Sequence, residues 1–209
     1  MFLRMLFGIV SLSAFAMVMR HHHAFDRHLL AGTTLDEIRL TEAHWQRYSP
    51  EALARAFQQA KGLSETDRGI LRAAALYRLD PRLLVAVAMR ESRMNPLARG
   101  AAGEIGMFQI MPNTARHWAQ VTDNPVPTEP ELFDVNLNAE ISAWYLRRGL
   151  DAFAHRSNPL PFALAYYNAG PGRAVAWEKQ TPETEQNILP YIPFASTREY
   201  VRVIMEALQ

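Results

Sequence analysis

The sequence predicts an all-α protein with little or no β-structure. Apolar residues recur at helical spacing in several separate stretches, and no stretch alternates apolar and polar residues as a half-buried strand does. Helix-start residues stand just ahead of those stretches, and proline or glycine stands just after them. Alanines lie between bulky residues, which suits helices packed closely around one core. No internal repeat is present. With 209 residues the chain holds one domain and some extra length.

The opening run MFLRMLFGIVSLSAFAMVMR has a basic residue at Arg4, an apolar core from Met5 to Phe15, and a small-x-small triplet at Ala14-Phe15-Ala16. A cleaved signal peptide is the first reading. An uncleaved anchor through residues 5–19 and a buried helix are the alternatives. Residues 1–20 are assigned to this segment. Residues 21–60 read as a linker and a short lead-in helix, Pro50 to Ala60, with Leu53, Ala54 and Phe57 facing inward. His21, His22, His23 and His28 resemble a metal tract, but a linker is the plainer expectation, and no metal is predicted. Residues 61–209 form the expected folded domain.

Within that domain, Ser64 and Asp67 can make a capping box for a helix ending near Tyr77, with Ile70, Leu71, Ala74 and Ala75 buried. Asp80 can cap the next helix, and Pro81 suits its first position. Asn113 to Ala119 is a short helix carrying Trp118. Three prolines make Val121 to Pro130 a loop. Leu132-Phe133-Asp134 introduces a helix running to about Phe153, with Ile141, Trp144 and Tyr145 on one face. Pro161 to Tyr167 is helical and stops sharply at Asn168-Ala169-Gly170-Pro171-Gly172. Another helix starts from Ala174 to Trp177. Thr181 to Pro193 is irregular. Ser196 or Thr197 should cap the last helix, whose apolar face is Val201, Ile204, Met205 and Leu208.

The chemistry concentrates between Val85 and Pro112. The stripe Leu84, Val87, Ala88 continues at the same spacing to Glu91, so a carboxyl group falls where a core residue is expected. Desolvation there raises its pKa and suits it to give a proton near neutrality. A surface glutamate paired with Arg90, Arg93 or Arg99 is the plain alternative. A loop punctuated by Gly100, Gly103 and Gly106 follows, then Met107, Phe108 and Gln109. The amide of Gln109 can both donate and accept hydrogen bonds. No lysine follows in the place a phosphate loop requires.

Composition narrows the classes. Cysteine is absent, which removes disulfides, thiolate metal sites and lipid attachment through cysteine. A net charge of +1 lacks the basic stripe that nucleic-acid binding needs. Phe108, Trp118, Trp144, Tyr166 and Trp177 can line a binding cleft, but core packing is the commoner use of such side chains.

Four blocks in order, Leu79 to Pro96, Gly103 to Pro112, Leu132 to Leu146 and Leu164 to Gly172, resemble the lysozyme-like catalytic domain of soluble-type lytic transglycosylases. The tail Ile192 to Val201 resembles that family's closing segment. The resemblance covers roughly Ser64 to Gln209. It implies a lysozyme-like fold and non-hydrolytic cleavage of the MurNAc-β-1,4-GlcNAc bond of peptidoglycan to 1,6-anhydromuramyl ends. It makes Glu91 the sole acid and then base. It makes Ser92 a group that positions substrate or glutamate, places Gly106, Met107 and Gln109 in the second motif, and places Tyr166, Tyr167 and Asn168 in the third. Tyr167 would bring its hydroxyl near Glu91, and Asn168 would secure the loop. Tyr166 stands where a small residue is usual. Pro190 and Ser196 replace two frequent glutamates, while Arg198 and Tyr200 remain.

The resemblance implies no cofactor. It implies glycan strands as the partner and a periplasmic place in a Gram-negative bacterium. General wall remodelling and local opening for secretion or conjugation machinery both stay open. A hydrolytic muramidase would need a second carboxylate, for which Glu104, Asp123 and Asp134 are the candidates. A catalytically inactive peptidoglycan-binding assembly protein is the rival from another class.

Overall fold

The structure, a computed structural model, describes residues 63–209. The expected export segment, the histidine tract and the expected lead-in helix lie outside the described residues.

Among the described residues seven α-helices follow one another: α1 Glu65–Tyr77, α2 Pro81–Ser92, α3 Pro112–Thr122, α4 Val135–Ala152, α5 Leu160–Ala169, α6 Pro171–Glu178 and α7 Ala195–Ala207. Single 3-10 turns at Glu131–Phe133 and Leu189–Tyr191 lead into α4 and α7. Among the described residues there is no strand. Two isolated bridges, Arg99 with Ile105 and Ile105 with Ile110, knot the loop between α2 and α3.

Local chemistry sets most boundaries. Ser64 caps α1 by accepting from the Asp67 N–H, and the Asp67 carboxylate accepts from the Ser64 N–H in return. Asp80 accepts from the Arg82 N–H, and Pro81 opens α2. Asp134 accepts from the Leu137 N–H and starts α4. α3 begins one residue earlier than Asn113 and runs three past Ala119. α6 begins at Pro171, because a proline at the first helical position loses no intrahelical bond. α5 and α6 thus meet at Gly170, whose φ of +88° lies in a region that side chains rarely adopt.

The start of α7 corrects the expected cap. Phe194 occupies the cap position with no side-chain hydrogen bond, and Ser196 and Thr197 lie inside the helix. The Thr197 hydroxyl instead donates to Asn168 Oδ1 at 2.8 Å. A threonine near a helix start looks like a cap in sequence, but a partner on α5 takes its hydroxyl.

α4 is the central element. It packs against α1, α2, α3 and α5, and it buries Ile141, Ala143, Leu146 and Gly149. A β-carbon at Gly149 would lie 3.2 Å from the Ala163 backbone, so glycine is what lets α5 approach this closely. α7 crosses α5 and α2. That crossing brings the end of the chain to the end of α2.

The five candidate cleft aromatics are all core residues: Phe108 is fully buried, and Trp118, Trp144, Tyr166 and Trp177 are 7% exposed or less. The irregular stretch after α6 is held by Arg156. Its guanidinium pairs with the Glu178 carboxylate at 2.6 Å and donates to the carbonyls of Glu178, Thr181 and Pro182. This clasp carries no motif that sequence reasoning could find.

Candidate active site

The site is built on the last turn of α2. The buried stripe Leu84, Val87, Ala88 aims Glu91 inward, as its spacing requires. Arg93 and Met94 then take left-handed conformations, with φ of +58° and +65°, and turn the chain into the glycine loop.

Glu91 accepts a hydrogen bond from the Tyr200 hydroxyl at Oε1, 2.7 Å away. As a residue Glu91 is partly exposed. Protein nonetheless surrounds its carboxyl group, and the group is pushed up to about 7. Desolvation is the main cause. The Tyr200 hydrogen bond and the Arg90 charge pull the other way, and the Glu104 charge adds to the rise. This favours a buried acid over a plain surface glutamate. Arg99, one of the expected surface partners, pairs with Glu129.

Tyr200 is the Glu91 partner that sequence reasoning left in the background. It is 2% exposed and lies 109 positions from Glu91 in the chain. The available signal was its place beside Val201 on the buried face of α7. Burial and the neighbouring Glu91 charge both raise its own pKa, so it stays a neutral donor.

The other expected residues make their bonds and contacts with the protein itself. The Ser92 hydroxyl donates to the Met107 carbonyl at 2.7 Å and accepts from the Asn95 N–H at 3.0 Å. It therefore ties α2 to the loop. Gln109, at φ +50°, donates from Nε2 to the Gly106 carbonyl at 2.9 Å and the Ala98 carbonyl at 3.4 Å, and so braces the loop from within. Met107 is fully buried. Gly106 has φ +78°, and a β-carbon there would lie 2.5 Å from Asn138 Nδ2 and 2.7 Å from the Leu132 carbonyl oxygen. Tyr166 packs at 5.1 Å between ring centroids against Tyr145. Asn168 holds Thr197, so it secures α7 to α5.

The Tyr167 hydroxyl donates to the Phe108 carbonyl at 2.9 Å and lies 3.0 Å from Ser142 Oγ. Burial raises its pKa most, and the Glu91 charge raises it further, which places Tyr167 in the field of the acid. Asn138, 1% exposed, is a second residue that sequence reasoning missed. It accepts from the Phe108 N–H at 2.8 Å and donates to the carbonyls of Ile105 and Leu132 at 3.0 and 2.8 Å. Two polar residues, Asn138 and Ser142, flank Ile141 on the buried side of α4, and that pattern was the signal.

The candidate second carboxylates have other work. Asp134 caps α4. Asp123 sits at the left-handed end of α3. Glu104 holds the Ala102 N–H at 2.9 Å, and its charge is felt at Glu91. Among the described residues no cluster of histidine and carboxylate side chains fits a metal ion.

Replacing Tyr200 by Phe tests the Glu91 environment. Losing a donor to the carboxylate disfavours the charged form, so the Glu91 pKa should rise above about 7. The upper limb of the pH–activity profile should move to higher pH. A limb that stays in place or moves down would show that Tyr200 does not set this group.

A family model described as the transglycosylase SLT domain matches residues 69–190. The soluble lytic murein transglycosylase of Escherichia coli K12 is 34% identical over 124 residues, which is 58% of this chain and 19% of that protein. The chain thus spans about a fifth of that relative's length. A solved structure of the lytic transglycosylase Slt of Pseudomonas aeruginosa, an inactive glutamate-to-glutamine mutant, aligns with a TM-score of 0.60 and 27% identity over 79% of this chain and 28% of that one. The 70 kDa soluble lytic transglycosylase of Escherichia coli shares the fold, with a TM-score of 0.59 and 22% identity over 88% of this chain and 31% of that one. The helical architecture and the matched stretch, which holds Glu91, the glycine loop and Tyr167, agree: this chain belongs to the transglycosylase SLT domain family.

Proposed function

We propose that this protein is a peptidoglycan lytic transglycosylase that cleaves the MurNAc-β-1,4-GlcNAc bond without water and leaves 1,6-anhydromuramyl ends. The observation that carries the reading is Glu91: a single carboxyl group at the end of α2, desolvated, held by one phenolic donor and poised near neutrality. A relative's inactive glutamate-to-glutamine mutant supports the same reading.

A group with a pKa of about 7 is substantially protonated at pH 7 and equally able to take a proton back. Glu91 gives its proton to the glycosidic oxygen as the C1–O bond breaks, and the leaving GlcNAc departs as an alcohol. Positive charge develops on the muramyl ring, where the substrate's own N-acetyl group can share it. Glu91, now a carboxylate, takes the proton of the C6 hydroxyl as that oxygen bonds to C1. The proton count closes on the one residue. Tyr200 steadies the carboxylate form between the two steps and holds its rotamer. Ser92, Gly106, Met107 and Gln109 shape the loop beside it.

The proposed layout is an export segment at 1–20, a linker and lead-in helix at 21–60, and the catalytic domain at 61–209. The proposed place is the periplasm of a Gram-negative bacterium, with glycan strands as substrate. Retention through residues 5–19 and service to a secretion or conjugation machine are the finer parts of that proposal. Among the described residues no helix is long and apolar enough to cross a membrane.

Mass spectrometry of muropeptides released from purified peptidoglycan, for wild type beside Glu91→Gln, tests the reaction. Anhydromuramyl products are expected from wild type, with a loss of about 10³-fold or more in the variant. Reducing muramyl ends would mean that water attacks, and Glu104 would then become the carboxylate to replace next. No products from either protein would point to the binding role.

A further inference from the structure

We propose that Arg90 is a positioning residue for Glu91 that acts through Tyr200: its guanidinium lies on the phenol ring and strengthens the hydrogen bond that the hydroxyl gives to the carboxyl group. Arg90 and Glu91 are neighbours in the chain, but adjacent residues of a helix point to different sides and do not face each other. Tyr200 meets both. Its hydroxyl donates to Glu91 Oε1 at 2.7 Å, and the guanidinium carbon of Arg90 stands 5.6 Å from the centre of its ring. The packing of α7 on α2 makes this three-part contact.

The neighbouring carboxylates leave Arg90 to the ring. Glu199, beside Tyr200 in the chain, is taken by Arg202, which donates to both of its oxygens at 2.6 and 2.9 Å. Arg202 also pairs with Glu206. Arg90 is exposed and, among the described residues, makes no ion pair, with Glu91 or any other carboxylate. A cation within about 6 Å of a ring centre is attracted to the electron-rich face of the ring. It also draws electron density from a phenol, which then holds its proton less tightly and donates it better. The Arg90 charge does favour release of the Tyr200 proton, while burial keeps the phenol neutral.

The charged and titratable groups around this contact come from several elements. They are Arg90 on α2, Glu104 on the loop, and Glu199, Tyr200 and Arg202 on α7, with Tyr167 on α5 in the field of Glu91. Arg90 therefore favours the carboxylate form of Glu91 by two routes. One is its charge acting through space, which does not need Tyr200. The other runs through the phenol, and only this one vanishes when the hydroxyl is removed. The two routes are separable for that reason. The bearing of Arg90 on turnover rests on the proposed function, but the proton affinity of Glu91 does not.

The test is a 13C-carboxyl NMR titration of the full chain labelled at glutamate, with the Glu91 signal assigned by its loss in Glu91→Gln. Wild type should titrate near 7. Arg90→Gln should titrate higher by about half a pH unit. Made in a Tyr200→Phe background, the same change should raise the midpoint by less than about half as much, because the ring remains but has no hydroxyl to act through. An unmoved midpoint in Arg90→Gln, or an equal rise in both backgrounds, would overturn the inference. If the Tyr200→Phe background does not fold, the Arg90→Gln rise is measured at low salt and at about 1 M salt, where charges acting through water are screened within about 3 Å. Most of the rise should survive, since the ring contact is direct. A rise that vanishes in salt would leave only the charge acting through space and would overturn the inference. The muropeptide assay is scored separately, so a failed reaction and a failed positioning role give different results.

Discussion

Glu91→Gln is expected to make the protein more stable, and only above a definite pH. The Glu91 carboxyl moves from an ordinary 4.5 to about 7 on folding. Below about 4.5 it is neutral in both the folded and the unfolded chain and has no effect on their balance. Between 4.5 and 7 the unfolded chain loses its proton first, so stability falls as pH rises. Above 7 the full cost of burying the charge is present, about 3 kcal/mol for a shift of this size. Glutamine has the same shape, can still accept from Tyr200, and carries no charge. Urea unfolding at pH 4, 6 and 8 should therefore show the variant level with wild type at pH 4 and ahead by up to about 3 kcal/mol at pH 8. A gain that is the same at all three values would mean that packing, not charge, separates the two proteins. The expected trade of stability for a poised acid is common where function needs a desolvated group.

Asn138→Ala is expected to be the most damaging single change to the loop beside the acid. It removes one acceptor and two donors together, and it strands the Phe108 N–H and the Leu132 carbonyl in a buried place, while the Ile105 carbonyl keeps its bond from the Ile110 N–H. Each stranded group costs about 1–3 kcal/mol, so a loss of roughly 3–5 kcal/mol follows. Asp134→Ala, which removes only a helix cap four residues earlier, should cost about 1 kcal/mol. Thermal or urea unfolding of both variants checks the ranking. If the two losses were equal, Asn138 would be an ordinary buried polar residue with solvent able to replace its bonds. The pattern of loss in activity should follow, because Ile105 and Phe108 bracket Gly106 and Met107.

These effects also mark what could be read from sequence. Helix starts were legible where a side chain bonds its own next turn, as at Ser64, Asp80 and Asp134, because capping is local. Glu91 was legible because a charge on an apolar stripe breaks the period that surrounds it. The start of α7 was not legible, since Thr197 bonds Asn168, 29 positions away. Ser92 and Gln109 were expected at the site, but their hydrogen bonds go to the backbone at Met107, Gly106 and Ala98. A polar side chain in a motif does not announce whether it faces a ligand or its own loop. Tyr200 needed the crossing of α7 over α2, which is a property of the packed helices and not of any window of residues.

The Arg156 clasp makes one lysine informative. Lys179 is the single lysine between residues 63 and 209. Its side chain is exposed, but the carbonyl just before it, at Glu178, and two just beyond, at Thr181 and Pro182, are gripped by one buried guanidinium. A protease must draw several residues into an extended form before it can cut. Cleavage by a lysine-specific protease at this position therefore reports how often the clasp lets go, through an opening that leaves the acid on α2 untouched.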